Sequence, residues 1–221
     1  MTTPSSRDLP SRDLHAALPW ALIGAACLGS FAATSSGTTR APFLLDMAHD
    51  LDVAMPLVAN LVSLTATAWG ITSALGGWLS DVIGRRPLLI VAPFALALAM
   101  VAQAMAGSFF WVAAWAAVGG GCAGAFTGVI FAEVSSRVPD SQRGRALGWV
   151  MSGQSLTLVV GVPMAAAVGS VIGWRGWLVC VGGLALAACL SLFLTVGRGS
   201  AGHTRGTAAR PSLRAALSPR V

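Results

Sequence analysis

Residues 87–132 contain no Asp, Glu, Lys, Arg or His. A membrane-spanning helix uses about 20 predominantly apolar residues, so this one stretch has room for two. The Gly107-Ser108 pair divides it, giving spans at 87–106 and 109–132. Four further apolar runs lie at 18–39, 53–80, 146–172 and 177–196. The reading is therefore an all-α membrane protein of six transmembrane helices. A segment at 1–17 precedes the six-helix domain at 18–196, and a tail follows at 197–221.

Composition supports this class. Charged residues make up 10% of the chain, hydrophobic residues 55%, and mean hydropathy is +0.74. A soluble domain carries about 25% charged residues. The net charge of +6 comes from arginine alone, since the chain has no lysine. The arginines sit in short loops and the tail, so they suit an anionic lipid surface and not nucleic acid. The four cysteines, Cys27, Cys122, Cys180 and Cys189, fall inside apolar runs and read as packing residues. No metal-spaced cluster, phosphate loop or Ser-His pair is present, so neither a metal, a cofactor nor an enzymatic reaction is expected. Gly119-Gly120-Gly121 lies mid-span and follows no strand.

Arginine placement orients the chain. With the N-terminus inside, the inner segments hold Arg7 and Arg12, then Arg85 and Arg86, then Arg137, Arg143 and Arg145, and finally the arginines of the tail. The outer loops hold Arg40 and Arg175, alongside Asp46, Asp50 and Asp52. By the positive-inside bias this is a multi-pass protein of the plasma (inner) membrane with both termini cytoplasmic. The tail, rich in Gly, Ser, Pro, Ala and Arg, reads as a flexible basic segment.

Small residues recur four apart on three helices: Ala66-Gly70-Ala74, Gly120-Gly124-Gly128, and Gly153-Thr157-Gly161-Ala165-Gly169. Such stripes let helix backbones approach in lipid. Three of them exceed what internal contacts of a small bundle need, so one is expected to face a partner. Pro163 removes a backbone hydrogen bond inside the fifth helix and favours a bend.

The short turn between the second and third spans carries Gly77-x-Leu79-x-Asp81-x-x-Gly84-Arg85-Arg86. This pattern resembles the signature loop between helices two and three of the major facilitator superfamily, in register and on the cytoplasmic side. Arg143-Gly144 followed by Ala146-Leu147-Gly148 is similar to the start of that family's fifth helix. Gly161-Val162-Pro163 resembles part of its antiporter motif, and Gly173-Trp174-Arg175 resembles the segment before its sixth helix. Trp115 stands where the family often has an arginine, which removes that route for proton coupling. The resemblance is strongest to drug and sugar efflux permeases of the proton-antiporter branch.

The resemblance implies half of a major facilitator fold, six helices in two three-helix repeats. It implies that Gly77, Leu79, Asp81, Gly84, Arg85 and Arg86 form a gate. Asp81 ends its helix where the dipole disfavours an anion, so it needs a compensating partner: Arg85, Arg86, a loop arginine such as Arg137 or Arg143, or the N-terminus of another helix. Gly77 is expected to pack against a neighbour. Thr34, Asn60, Trp115, Phe126 and Gln154 are the principal substrate-path candidates from this half. No ionisable residue lies mid-span, where a charge costs roughly 2.5–3.5 kcal/mol on insertion scales. The expected partners are the bilayer, a small-molecule substrate, and either a second six-helix half or a second copy. The expected function is efflux of a small organic compound by proton-coupled alternating access. The alternative is a non-transporting six-helix protein that dimerises or regulates a full transporter.

Overall fold

The structure is a computed structural model that describes residues 19–198, without the side chains of Asp81, Ile83 and residues 196–198. The expected segment at 1–17 and the tail from residue 199 onward lie outside the described residues. Every regular element described is helical. In chain order they are α1 (Trp20–Thr38), a 3-10 turn (Ala41–Phe43), α2 (Leu44–Asp50), α3 (Met55–Ile83), α4 (Arg85–Met105), α5 (Phe109–Arg137), α6 (Asp140–Leu156), a π turn (Thr157–Gly161) and α7 (Val162–Arg198).

Four stretches among the described residues are long and apolar enough to cross a membrane: Met55–Ser80, Arg85–Met105, Phe109–Arg137 and Asp140–Thr195. The 19 residues of α1 end in Thr34-Ser35-Ser36-Gly37-Thr38, which dilutes its apolarity. The last stretch is interrupted twice. The π turn precedes Pro163, whose ring would clash with the carbonyl four residues back in a regular helix; the wider turn relieves that clash. Gly173 then breaks the helical path with φ 71 and ψ 172, a conformation that favours glycine because a side chain would be strained there. The break falls between the runs read from sequence as fifth and sixth spans.

Two glycine seams build the core. Along α5, a Cβ on Gly120 would strike the backbone at Thr65, one on Gly124 would strike Trp69 and Thr72, and one on Gly128 would sit 3.0 Å from the Ser73 carbonyl. The four-residue step matches on both helices, so α3 and α5 run in the same direction with backbones nearly touching. The second seam joins α1 to α6 and α7. A Cβ on Gly153 would overlap Cys27, Thr157 Oγ1 donates to the Phe31 carbonyl at 3.2 Å, and Gly169 lies against the Phe43 ring. The stripes on α5 and on α6–α7 are thus consumed by internal packing.

The stripe on α3 is not. Ala66, Gly70 and Ala74 are exposed, and nothing lies within 4 Å of where a Cβ of Gly70 would be. Only 17% of the apolar stretch of α3 is buried, against 56% for α4. Leu57, Val62, Leu64, Ile71, Leu75 and Trp78 add exposed apolar surface to α3. In lipid such a face carries no penalty, but α3 touches the bundle along one edge alone, and its open edge carries small residues.

At one end of the bundle Arg175 ties three elements together. It donates to Asp50 at 2.9 Å and 3.1 Å, and to the carbonyls of Ala104 and Ala106 at 2.7 and 2.8 Å. Its guanidinium stacks 4.4 Å over Trp174. The carbonyls at the end of α4 carry the negative end of a helix dipole, which favours a cation there. Arg137 and Arg143 occupy the opposite end.

Candidate functional site

Helices α1 and α3 enclose a cavity of about 380 Å³. Thr34, Gly37 and Thr38 line it from α1, and Thr65, Trp69 and Gly70 from α3. It opens on the uncovered face of α3. The walls are mostly apolar, with hydroxyls as the polar groups. Thr34 Oγ1 donates to the Ser30 carbonyl at 2.9 Å and Thr38 Oγ1 to the Thr34 carbonyl at 2.6 Å. Their hydrogens are therefore held by their own helix while oxygen lone pairs stay available.

Behind this wall lies Arg40, 2% exposed. It occupies the turn after α1, where the sequence suggested a loop arginine in solvent. Its side chain instead runs into the bundle. Nη1 donates to Thr65 Oγ1 at 2.7 Å and Nη2 to Gln103 Oε1 at 3.1 Å. Gln103 is fixed in turn by its own donation to the Val112 carbonyl at 3.3 Å, and Thr65 by donation to the Leu61 carbonyl at 2.7 Å. Arg40 Nε is buried with no partner. Among the described residues no carboxylate pairs with it. An arginine guanidinium stays protonated at neutral pH, so Arg40 remains a cation.

The local sequence explains how the turn is held. Thr39 donates through its hydroxyl to the Ser35 carbonyl at 2.6 Å and accepts from the Trp177 indole N–H at 2.8 Å. The Arg40 carbonyl accepts from the Phe43 amide at 2.9 Å. With α7 clamping Thr39 on one side, the Arg40 side chain is directed to α3 and α4 on the other. The C-terminal turns of α1 and α4 lie on the same side of the bundle and offset part of the charge.

The gating turn is compact. Gly84 joins α3 to α4 with φ 92, and its amide donates to the Ser80 carbonyl at 3.0 Å. Arg85 and Arg86 begin α4 and are exposed. The Asp81 side chain lies outside the described residues, so no partner is assigned to it. Two cations expected to serve it have other contacts. Arg137 pairs with the buried Glu133 on its own helix. Arg143 pairs with Asp140 at 2.6 Å and donates to the Ser135 carbonyl at 3.2 Å. Gly77, expected to pack on a neighbour, meets none among the described residues: no atom lies within 4 Å of its Cβ position. The neighbouring Gly76 makes the close approach: a Cβ there would lie 3.6 Å from Gly128 Cα. One residue turns a helix by about 100°, which moves the contact from one glycine to the next.

The substrate-path candidates separate in space. Thr34 lines the cavity. Asn60 lies exposed on α3, and Trp115 and Gln154 are half-buried away from the cavity lining. Phe126 is 1% exposed and fills the space beside Gly29, so it packs α5 against α1. Gly161 is buried against Phe31 and Ser35, while Pro163 faces outward. Sequence reasoning missed Arg40, Thr65, Trp69 and Gln103. Arg40 offered one signal, its position at the very end of an apolar run.

Comparison with known proteins agrees with the geometry. The sequence model of the Major Facilitator Superfamily matches residues 26–220. An uncharacterized MFS-type transporter of Bacillus subtilis, YwfA, is 31% identical over 157 residues, covering 71% of this chain and 38% of that protein. A chloramphenicol resistance protein of Streptomyces lividans is 31% identical over 178 residues, covering 80% and 45%. The solved structure of the proton:xylose symporter XylE superposes with a TM-score of 0.68 at 18% identity, covering 80% of this chain and 44% of that one. The chain thus spans less than half the length of these relatives. Apolar helices and transporter relatives together place it among multi-pass membrane proteins, and the chain belongs to the major facilitator superfamily.

Proposed function

We propose that this chain is the N-terminal six-helix half of a transporter that exports a small organic compound across the inner membrane by proton-coupled alternating access. In this reading α1, α3, α4 and α5 are the first four spans. The fifth runs from α6 through the π turn to Gly173, and the sixth follows within α7, the six forming two three-helix repeats. Both termini face the cytoplasm, where Arg85, Arg86, Arg137, Arg143 and Arg145 gather. Gly77, Leu79, Asp81, Gly84, Arg85 and Arg86 act as the gate, and Gly161 with Pro163 supplies the bend of an antiporter helix.

The observation that carries this reading is the cavity between α1 and α3, which opens on the least covered long helix of the bundle. A transport path lies between two halves near the midplane, so a half should show one such concave, unfinished face. Relatives that include a chloramphenicol resistance protein and a multi-drug resistance efflux pump of Streptococcus pneumoniae support a drug-type substrate.

Cells expressing the chain together with a second six-helix half are expected to accumulate less labelled chloramphenicol than cells lacking it. Dissipating the proton gradient should abolish the difference. Accumulation that is the same with and without the chain, across drug and sugar probes, would contradict the reading. The exposed Ala66-Gly70-Ala74 stripe also favours a second reading, a six-helix protein that pairs with a second copy or a full transporter without transporting. Crosslinking through cysteines placed on that stripe, in membranes without a second half, distinguishes the two.

A further inference from the structure

The proposed function leaves one buried charge unused. Arg40 is 2% exposed, has one donor without a partner, and has no carboxylate beside it among the described residues. Burying a cation in this way is costly and is tolerated where hydrogen bonds hold it. Here both acceptors, Thr65 and Gln103, are neutral. The positive charge is therefore spread by hydrogen bonds but not cancelled.

Thr65 stands between Arg40 and the cavity space, accepting from Nη1 at 2.7 Å while lining the wall. The cavity is thus one side chain away from a cation that no carboxylate among the described residues pairs with, across apolar surroundings that screen poorly. The other charged groups at this end of the bundle do not offset it. Asp50 is bound to Arg175, and Asp46 and Asp52 are exposed in the segment between α1 and α3. Glu133 and Asp140 lie at the opposite end, each paired with an arginine.

We propose that Arg40 makes the α1–α3 cavity selective for organic anions, compounds with an apolar body and one carboxylate or comparable oxyanion. The apolar body fits against Trp69 and Gly70, and the oxyanion sits on the Thr65 side, where the Thr34 and Thr38 hydroxyls turn from the carbonyls of their own helix to donate to it. Arg40 acts through Thr65 as a positioning residue and does not touch the ligand. This inference rests on the reading of the cavity as part of a substrate path and adds the substrate's charge.

The test uses the purified chain in lipid nanodiscs and three probes of one shape: benzoate, benzamide and benzylammonium. Benzoate is expected to bind most tightly. Arg40→Gln should weaken benzoate by about tenfold or more while leaving benzamide unchanged. Because loss of Arg40 also removes two hydrogen bonds, a second variant keeps the arginine. Gln103→Glu places a carboxylate against Nη2 and cancels the charge in place. It should erase the preference for benzoate over benzamide, and Arg40→Lys should keep most of it. Equal binding of benzoate and benzamide to the wild type, or a benzoate preference that survives Gln103→Glu, overturns the proposal. So does the absence of benzoate binding together with a higher melting temperature in Gln103→Glu, because the natural counter-charge would then be a protein carboxylate. Export of a neutral drug without any anion preference would sink this inference and leave the transporter reading standing. Anion binding without export in any assembly would do the reverse.

Discussion

Asp81→Asn is expected to cut export severely while leaving the amount of protein in the membrane unchanged. Asp81 lies in the last turn of α3, which ends at Ile83, and Gly84 turns the chain directly into α4. An anion at a helix C-terminus is disfavoured by the dipole, so its removal does not weaken the helix. If the residue only anchored a loop, Asn would therefore be neutral or slightly stabilising. If Asp81 latches the cytoplasmic side through an arginine, the isosteric change removes a charge-assisted contact of about 1.5–3 kcal/mol in one conformation of the cycle. That corresponds to a loss of export of roughly tenfold or more. Export of a labelled drug in the assembled transporter, read beside an immunoblot of the membrane fraction, checks the point. Full export by Asp81→Asn would end the gating role. Arg137 and Arg143 are already held by Glu133 and Asp140, so Arg85→Gln is expected to affect the latch more than either of them.

The second large effect belongs to the seam between α3 and α5. A Cβ on Gly124 would overlap the Trp69 carbonyl and the Thr72 hydroxyl. The carbonyl is backbone and cannot swing aside. Gly124→Leu must therefore drive the helices apart along the whole Gly120-Gly124-Gly128 register, at a cost of about 3 kcal/mol or more. Gly70→Leu and Gly77→Leu add the same bulk at positions with nothing within 4 Å. The melting temperature in detergent, followed by tryptophan fluorescence, should fall sharply for Gly124→Leu and stay near the wild-type value for Gly70→Leu and Gly77→Leu. A similar fall in all three would mean that generic helix effects, and not the seam, govern stability.

Much of the architecture was legible because membranes make sequence explicit. The charge-free stretch at 87–132 became α4 and most of α5, and the Gly107-Ser108 division falls in the gap between them. Gly173 breaks α7 where the apolar runs were separated. Helix ends were less legible. Helix α5 continues to Arg137 and α6 begins at Asp140, because helical hydrogen bonding extends past the apolar core into polar sequence. The stripes on α5 and on α6–α7 marked closely packed faces but not against what, and the stripe on α3 stays exposed. Whether Gly76 or Gly77 makes the contact depends on the rotation of α3, which a one-dimensional pattern does not fix.

The candidate site was harder to read. Thr34 was named because a polar residue inside an apolar run is conspicuous, and it lines the cavity. Thr65 looked like any threonine that bonds its own helix, which it also does. Its second bond, from Arg40, joins residues 25 positions apart and exists only once α1 and α3 have packed. Arg40 itself was read by position in the chain, and an arginine beside a proline and three nearby aspartates looks like a loop. Its long side chain reaches back past the helix end into the bundle, so the charge and the backbone lie at different depths. Phe126 was a reasonable aromatic candidate, but the missing side chain of Gly29 gives it a place to pack.

The central claim is that the open face of α3 is one wall of a water-filled substrate path and not a lipid-facing surface. Thiols react with charged reagents as thiolates, which form in water and not in hydrocarbon. A single cysteine at Gly70, in a protein lacking Cys27, Cys122, Cys180 and Cys189, can therefore be compared with one at Leu190, which is 57% exposed on α7. In native membranes holding the assembled transporter, a membrane-impermeant thiol reagent should label Gly70→Cys far faster than Leu190→Cys, and transported compound should slow that labelling. Labelling at Gly70 as slow as at Leu190, with or without the compound, would contradict the account.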